Sequence, residues 1–150
     1  MFLLGMIVFV FTTAMAMMMS GEIMMFVNVP SLIIVFPPAL FLTFASTSKQ
    51  SRSHALALLF SKGLGLNYGE LSAAKLVFKN FGNLNLLMGW IGVVIGAIAM
   101  AANIELETFS QGFGPAFAVC MLTLFYALLM KVICYAAEAK IQFKMLNLTA

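Results

Sequence analysis

Residues 84–104 read LNLLMGWIGVVIGAIAMAANI, a run without a single charged side chain. Its length matches the roughly 20 apolar residues that an α-helix needs to cross the hydrocarbon core of a bilayer. Within it, glycines recur on one helical face at Gly89, Gly92 and Gly96. Small residues at this spacing allow two membrane helices to approach closely. The run therefore predicts a membrane-spanning helix with Gly89 at a packing surface.

Three further apolar runs resemble the first in length, at about residues 2–19, 30–45 and 113–137. Charged residues make up only 9% of the chain, whereas a soluble domain carries roughly 25%. Most of the exterior must therefore face lipid. The sequence predicts an all-α membrane protein, a single domain over residues 1–150 with four transmembrane helices. The run at about residues 2–19 has no basic residues before it, which favours a retained helix over a cleaved signal peptide.

The second predicted span contains three prolines. Pro30 suits the first turn of a helix, where a missing N–H has no cost. Pro37 and Pro38 fall in the middle of the span, where proline kinks a membrane helix and neighbouring groups must bond the freed carbonyls. We therefore expect a bent second helix that packs inside the assembly through Pro37 and Pro38.

Orientation follows from the distribution of basic residues, since Lys and Arg concentrate on the cytoplasmic side of membrane proteins. The segment 46–82 carries most of them, and the others lie at or after the end of the last span. The two short links between spans carry only acids, Glu22 in one and Glu105 and Glu107 in the other. We expect a cytoplasmic loop over 46–82, cytoplasmic N- and C-termini, and an amphipathic tail over 138–150.

The residues offer little for catalysis. An ionisable side chain in mid-membrane is costly and is a functional candidate by default, yet none of the predicted spans has one near its centre. His54 is the only histidine, and Cys120 and Cys134 lack metal-ligand spacing. No phosphate-binding glycine loop or nucleic-acid motif is present. We expect no enzymatic activity, no resident cofactor or metal, and no nucleic-acid partner.

Three stretches, taken in order, carry a resemblance to a known family. Residues 26–35 read FVNVPSLIIV, residues 89–96 read GWIGVVIG, and residues 114–126 read GPAFAVCMLTLFY. This framework of Gly, Pro, Thr and Tyr resembles the MotA/TolQ/ExbB proton-channel family, with the flagellar motor stator A subunit (MotA/PomA) as the closest branch. The family's four-span arrangement, with a basic inner loop, agrees with the topology argued above.

The resemblance implies a bacterial inner-membrane protein that forms a homo-oligomeric ring, typically of five subunits in this family. The ring would surround a single-span MotB/ExbD-like partner that contributes a membrane Asp. Inward ion flow would then be coupled to rotation or force on a rotor or envelope component. By the same resemblance, six residues would line the ring and its ion pathway: Thr123, Val93, Tyr126, Pro115, Gly92 and Gly96.

Several positions depart from the family pattern. Val93 and Leu124 stand where the family has threonine, and Pro37-Pro38 replaces a Gly-Gly pair. Of the three positions where the family has threonine, only Thr123 keeps a hydroxyl. A dehydrated sodium ion would find few oxygen ligands there, so the translocated ion is expected to be a proton. The inner loop is much shorter than that of a flagellar stator. The resemblance therefore leaves three alternatives for the system that the ion flow would drive: a flagellar motor, a Tol-type envelope system or an uptake system.

Four basic residues of the inner segment are candidates for contact with a cytoplasmic rotor or another partner: Lys49, Arg52, Lys75 and Lys79. Their alternative role is to set the orientation and contact anionic lipid. Two other functions stay open for the chain as a whole. One is a non-conducting scaffold that diverged from this family. The other is a small four-span transporter or holin-like protein, although an exporter usually needs an intramembrane acid of its own.

Overall fold

A computed structural model of the protein describes residues 2–60, 65–102 and 109–149. These residues form helices and contain no strand. The α-helices are α1 (Phe2–Ser20), α2 (Val29–Ser46), α3 (Lys49–Phe60), α4 (Tyr68–Ala102) and α5 (Phe109–Thr149), and a 3-10 turn at Ile23–Phe26 precedes α2. Four helical segments are long and apolar enough to cross a membrane: Phe2–Ser20, Ile23–Ser46, Tyr68–Ala102 and Phe113–Leu148. The chain is therefore an all-α multi-pass membrane protein, as the sequence predicted.

Helices α4 and α5 are much longer than a membrane crossing requires. They contain 35 and 41 residues, which at about 1.5 Å per residue exceeds a hydrocarbon core of roughly 30 Å by a wide margin. The helix expected to begin at Leu84 begins instead at Tyr68. The described part of the segment 46–82 is consequently mostly helical, formed by α3 and the first turns of α4, where the sequence analysis predicted a loop.

A small apolar core holds this helical extension together. It joins α3, the start of α4 and the end of α5, and consists of Ala55, Leu58, Leu71, Ala74, Val77, Ile141 and Met145. Leu71, Ala74 and Val77 come from the start of α4, and the predicted amphipathic tail supplies Ile141 and Met145. Burial of each aliphatic side chain contributes about 1.5–3 kcal/mol, so the extension is a packed unit.

The main contact of the fold is an antiparallel pairing of α4 with α5, through glycines. A methyl group on Gly82 would stand 2.8 Å from Cβ of Cys134, and methyl groups on Gly89 and Gly96 would overlap Ala127 and Cys120. The partner's residue number falls as the glycine's number rises, so the helices run in opposite directions. The close approach predicted from the glycine spacing is thus present, with Gly89 at its centre.

Helix α2 packs on α4 along a face of small side chains. Its buried residues recur every four positions at Ser31, Val35, Ala39 and Thr43. The helix passes through both Pro37 and Pro38 without ending. Within the chain Pro38 is half-buried and Pro37 is exposed, and the packing of both prolines inside an assembly stays a prediction.

Helix α1 lies at the periphery and has no buried residue. The ammonium group of Lys140, on α5, lies 4.7 Å from the ring centre of Phe2. The same ammonium donates a 2.8 Å hydrogen bond to the carbonyl of Leu59. The start of α1, the end of α3 and the late part of α5 therefore meet at one end of the bundle.

Some sequence predictions fall outside the described residues. They concern the end of the third span at Asn103 and Ile104, the acids Glu105 and Glu107 of the second link, and Lys62 of the basic segment.

Candidate functional site

The site begins at the N-terminus of α2, which has a side-chain cap. The Asn28 side-chain oxygen accepts a 3.0 Å hydrogen bond from the backbone N–H of Ser31, and Pro30 occupies the first turn. Asparagine is among the preferred N-cap residues because it bonds an amide that the helix leaves unpaired. The cap and the proline together fix where α2 starts and direct Ser31 toward the protein interior.

Tyr126 of α5 holds the N-terminus of α2 in place through two hydrogen bonds. Its hydroxyl accepts a 2.9 Å hydrogen bond from the backbone N–H of Asn28 and donates one to the carbonyl of Phe26. Beside it, the rings of Phe26 and Phe125 lie 6.3 Å apart. One phenol thus satisfies two backbone groups in the link between α1 and α2, where no helical partner exists for them.

Thr123 lies one turn before Tyr126 on α5 and also forms a hydrogen bond with α2. Its hydroxyl is 2.9 Å from the Ser31 hydroxyl and 3.0 Å from the carbonyl of Val119. Gly92 of α4 is packed against the Thr123 methyl group, so that a side chain at position 92 would overlap it. The hydroxyl pair therefore sits where α2, α4 and α5 meet, and Gly92 provides the room for it.

The structure brings the resembling stretches 26–35, 89–96 and 114–126 together. Several of the residues expected to line the ring, however, are buried inside the chain and do not face a pore. Thr123 is 2% exposed and Tyr126 is 8% exposed, so both are buried inside one chain. Gly92 is buried as well, whereas Val93 and Gly96 are half-buried and Pro115 is exposed. Among the expected ring-lining residues, only the last three have surface available to a neighbouring chain.

Replacing Thr123 with valine, which keeps the shape and removes the hydroxyl, is expected to destabilise the protein by about 0.6 kcal/mol, the average for hydrogen bonds between membrane helices. Together with Ser31→Ala and the variant that carries both substitutions, Thr123→Val forms a double-mutant cycle. We expect coupling of similar size between the two positions, measured by equilibrium unfolding in mixed detergent micelles.

Thr12→Val is the matched control for this cycle. The Thr12 hydroxyl bonds only carbonyls of its own helix, at Val8 and Phe9, and should not couple to Ser31. Coupling of zero between Thr123 and Ser31, or equal effects at Thr12 and Thr123, would contradict a hydroxyl link between α2 and α5.

Sequence reasoning missed Asn85 on α4. It is fully buried, its amide nitrogen donates a 2.8 Å hydrogen bond to the carbonyl of Phe81, and its side-chain oxygen has no hydrogen-bond partner. A buried polar atom without a partner is costly, by about 1–3 kcal/mol. The sequence could have indicated that Asn85 is buried, because it lies three residues after Gly82 and four before Gly89, on the face that packs against α5.

The four basic residues proposed for partner contact divide into two pairs. Arg52 donates to the backbone carbonyls of Phe44 and Thr47, and Lys75 bonds the Gln142 side chain at 3.0 Å. Both therefore have partners within the chain. Lys49 and Lys79 are exposed, so they are better placed for an external contact.

Among the described residues, no group of three or more His, Cys, Asp or Glu side chains could hold a metal ion. The polar groups of the site are neutral hydroxyls, an amide and a phenol, which orient helices through hydrogen bonds.

No protein-family model matches this chain, and no curated protein is similar to it.

Proposed function

We propose that the chain is the ring-forming subunit of an ion channel of the MotA/TolQ/ExbB type in the bacterial inner membrane. Together with a single-span MotB/ExbD-like partner, it would couple inward proton flow to rotation or to force on an envelope component. The observation that carries the proposal is the contact between the resembling stretches. Tyr126 and Thr123 of the stretch 114–126 bond Asn28 and Ser31 of the stretch 26–35, so residues shared with the family pattern contact one another.

The charge pattern supports a division of labour between two proteins. The chain contains five acids, and none lies within residues 2–20, 29–46, 84–102 or 113–137. Transport of a proton through the hydrocarbon region needs a group that can bind and release it. The proposed partner supplies that carboxylate. Its protonation from the outer side removes the charge, so the neutral group can move past the apolar faces of the ring.

The half-buried and exposed residues suggest which face the partner would meet. Val93, Gly96 and Pro115 retain surface on α4 and α5, whereas the hydroxyls of Thr123 and Ser31 bond each other. A dehydrated sodium ion needs several oxygen atoms to replace its hydration shell, and these apolar positions offer none from their side chains. Protons are therefore the proposed ion. Orientation follows from the basic residues at the end where α3 and the tail of α5 meet, which would be cytoplasmic.

The test is co-expression with a candidate partner, a single-span protein with a membrane Asp encoded beside this chain. The purified complex would be placed in liposomes containing a pH-sensitive dye, and a potassium gradient with valinomycin would set the membrane potential. Proton uptake by the complex and its loss when the partner's Asp is replaced by Asn would support the proposal. Failure of the two chains to form a complex would overturn it.

A non-conducting scaffold is the second candidate function. It is favoured by the apolar Val93 and by the Thr123 hydroxyl, which is occupied within the chain. A stable complex whose proton flux equals that of empty liposomes would establish this function in place of the channel.

A further inference from the structure

An open-sided cleft of about 370 Å³ lies between the C-terminal end of α2 and the interior of α4. Its five lining residues are Leu42, Ser46, Asn80, Asn83 and Leu84. Leu42 and Ser46 lie one turn apart on α2, while the other three occupy consecutive turns of α4. None of the lining residues is acidic, and the cleft takes no part in the contacts around Thr123.

The cleft has a polar end and an apolar end. Leu84 begins the uncharged run on α4, and Leu42 belongs to the apolar part of α2. Asn80 and Ser46 lie on the other side, where each helix leaves its apolar stretch. The cleft therefore lies at the boundary between hydrocarbon and water, and its two ends match the tails and the headgroup of a lipid.

Lys131 fixes the chemistry of the polar end. Its ammonium donates a 2.5 Å hydrogen bond to the side-chain oxygen of Asn83. An ammonium can only donate, so the oxygen of Asn83 must face Lys131. The NH2 group of Asn83 then remains to donate to another molecule, and the nearby positive charge strengthens that donor.

Two more basic residues lie close in sequence to the lining residues. The Arg52 guanidinium is held at the carbonyls of Phe44 and Thr47, on either side of Ser46. Lys79 precedes Asn80 and is exposed. The amide donors, the Lys131 ammonium and the absence of acidic lining residues favour an anion, and the adjoining leucines favour one that carries acyl chains.

From this arrangement we propose that the cleft binds the headgroup phosphate of an anionic phospholipid. Asn83 and Asn80 donate hydrogen bonds to the phosphate, Lys131 and Arg52 contribute positive potential, and the acyl chains run along Leu42 and Leu84. The lipid would brace α2 against α4 at the membrane boundary. The proposal needs only the membrane location of the chain and does not depend on ion transport.

Asn83→Asp is the decisive variant. The carboxylate keeps the size of the amide and its contact with Lys131, so a merely structural role of Asn83 would be maintained. It also replaces the NH2 donor with a negative oxygen that repels phosphate. Because one charge near a membrane surface is worth about 1 kcal/mol, we expect at least about a fivefold loss of affinity for the anionic lipid. Asn80→Asp makes the same change at a neighbouring lining position that does not bond Lys131.

The measurement is native mass spectrometry of the detergent-purified chain, titrated with phosphatidylglycerol or with phosphatidylcholine of the same acyl composition. The wild type should retain phosphatidylglycerol preferentially, and both cleft variants should lose that preference. Asn147→Asp is the matched control, since it makes the same charge change at an exposed position near the end of α5 and should preserve binding.

Three results would overturn the proposal. The wild type could retain both lipids equally, or Asn147→Asp could weaken binding as much as Asn83→Asp does. In the third, millimolar inorganic phosphate would displace phosphatidylglycerol completely, which would identify a site for free phosphate rather than lipid. Equal elution volumes of the variants and the wild type on size exclusion would confirm that they are comparably folded.

Discussion

Gly89→Leu is expected to separate α4 from α5 and to leave most of the purified protein unfolded or aggregated. Even one methyl group at position 89 would overlap Cβ of Ala127, and the α5 backbone at Leu124 lies close behind it. A backbone cannot yield as a flexible side chain can. Overpacking of a core typically costs about 1–3 kcal/mol, and the longer side chain should lie at the upper end of that range. The monodisperse fraction on size exclusion and the unfolding midpoint in SDS titration would measure the loss.

Gly114→Leu is the control for this experiment, because nothing lies within 4 Å of the corresponding position on α5. Leucine also favours a helix over glycine by roughly 0.5–1 kcal/mol, so the control should be neutral or slightly more stable. An unfolding midpoint of Gly89→Leu equal to that of the wild type would show that α4 and α5 are farther apart than described.

Tyr126→Phe is expected to release the link between α1 and α2 and to destabilise the protein by about 1–2 kcal/mol, because two backbone groups lose their partner. The ring and its contact with Phe125 remain, so the effect isolates the hydroxyl. Hydrogen exchange would report the change locally, since the Asn28 amide donates to this hydroxyl. We expect faster exchange at Asn28, while amides in the middle of α5 keep their protection.

Tyr135→Phe makes the same chemical change on the same helix, at a side chain that is 66% exposed. It should leave both the stability and the exchange of Asn28 unchanged. If the two tyrosine variants behaved alike, or if the Asn28 amide stayed protected in Tyr126→Phe, the phenol would not be the anchor of α2.

Stability and proposed function depend on different surfaces of α4 and α5. One surface, with Gly89, Gly92, Thr123 and Tyr126, is occupied within the chain. On the other surface, Pro115 is exposed and Val93 and Gly96 are only half-buried, and the proposed ring and its partner would need the part that the chain itself leaves open. Variants of the first surface are therefore expected to change folding, and variants of the second to change proton flux in the co-expressed complex.

The four spans followed from the sequence because the membrane imposes a length and a composition on each crossing. A run such as 84–104 has few alternatives, since a helix is the way such a chain satisfies its backbone groups in lipid. The glycine spacing likewise predicted a close helix contact at Gly89. The resemblance singled out Thr123 and Tyr126 as residues of special importance, although as pore-lining groups.

Only the tertiary structure decided where those side chains lie. The rotation of α5 about its axis determines whether Thr123 meets Ser31 or an open surface, and that rotation depends on packing against α2 and α4 together. The same holds for the partnerless oxygen of Asn85 and for the donor that Lys131 leaves free on Asn83. Local sequence determined where each apolar crossing lies, whereas contacts between residues about 90 positions apart, such as Ser31 with Thr123, determined the face that each helix turns inward.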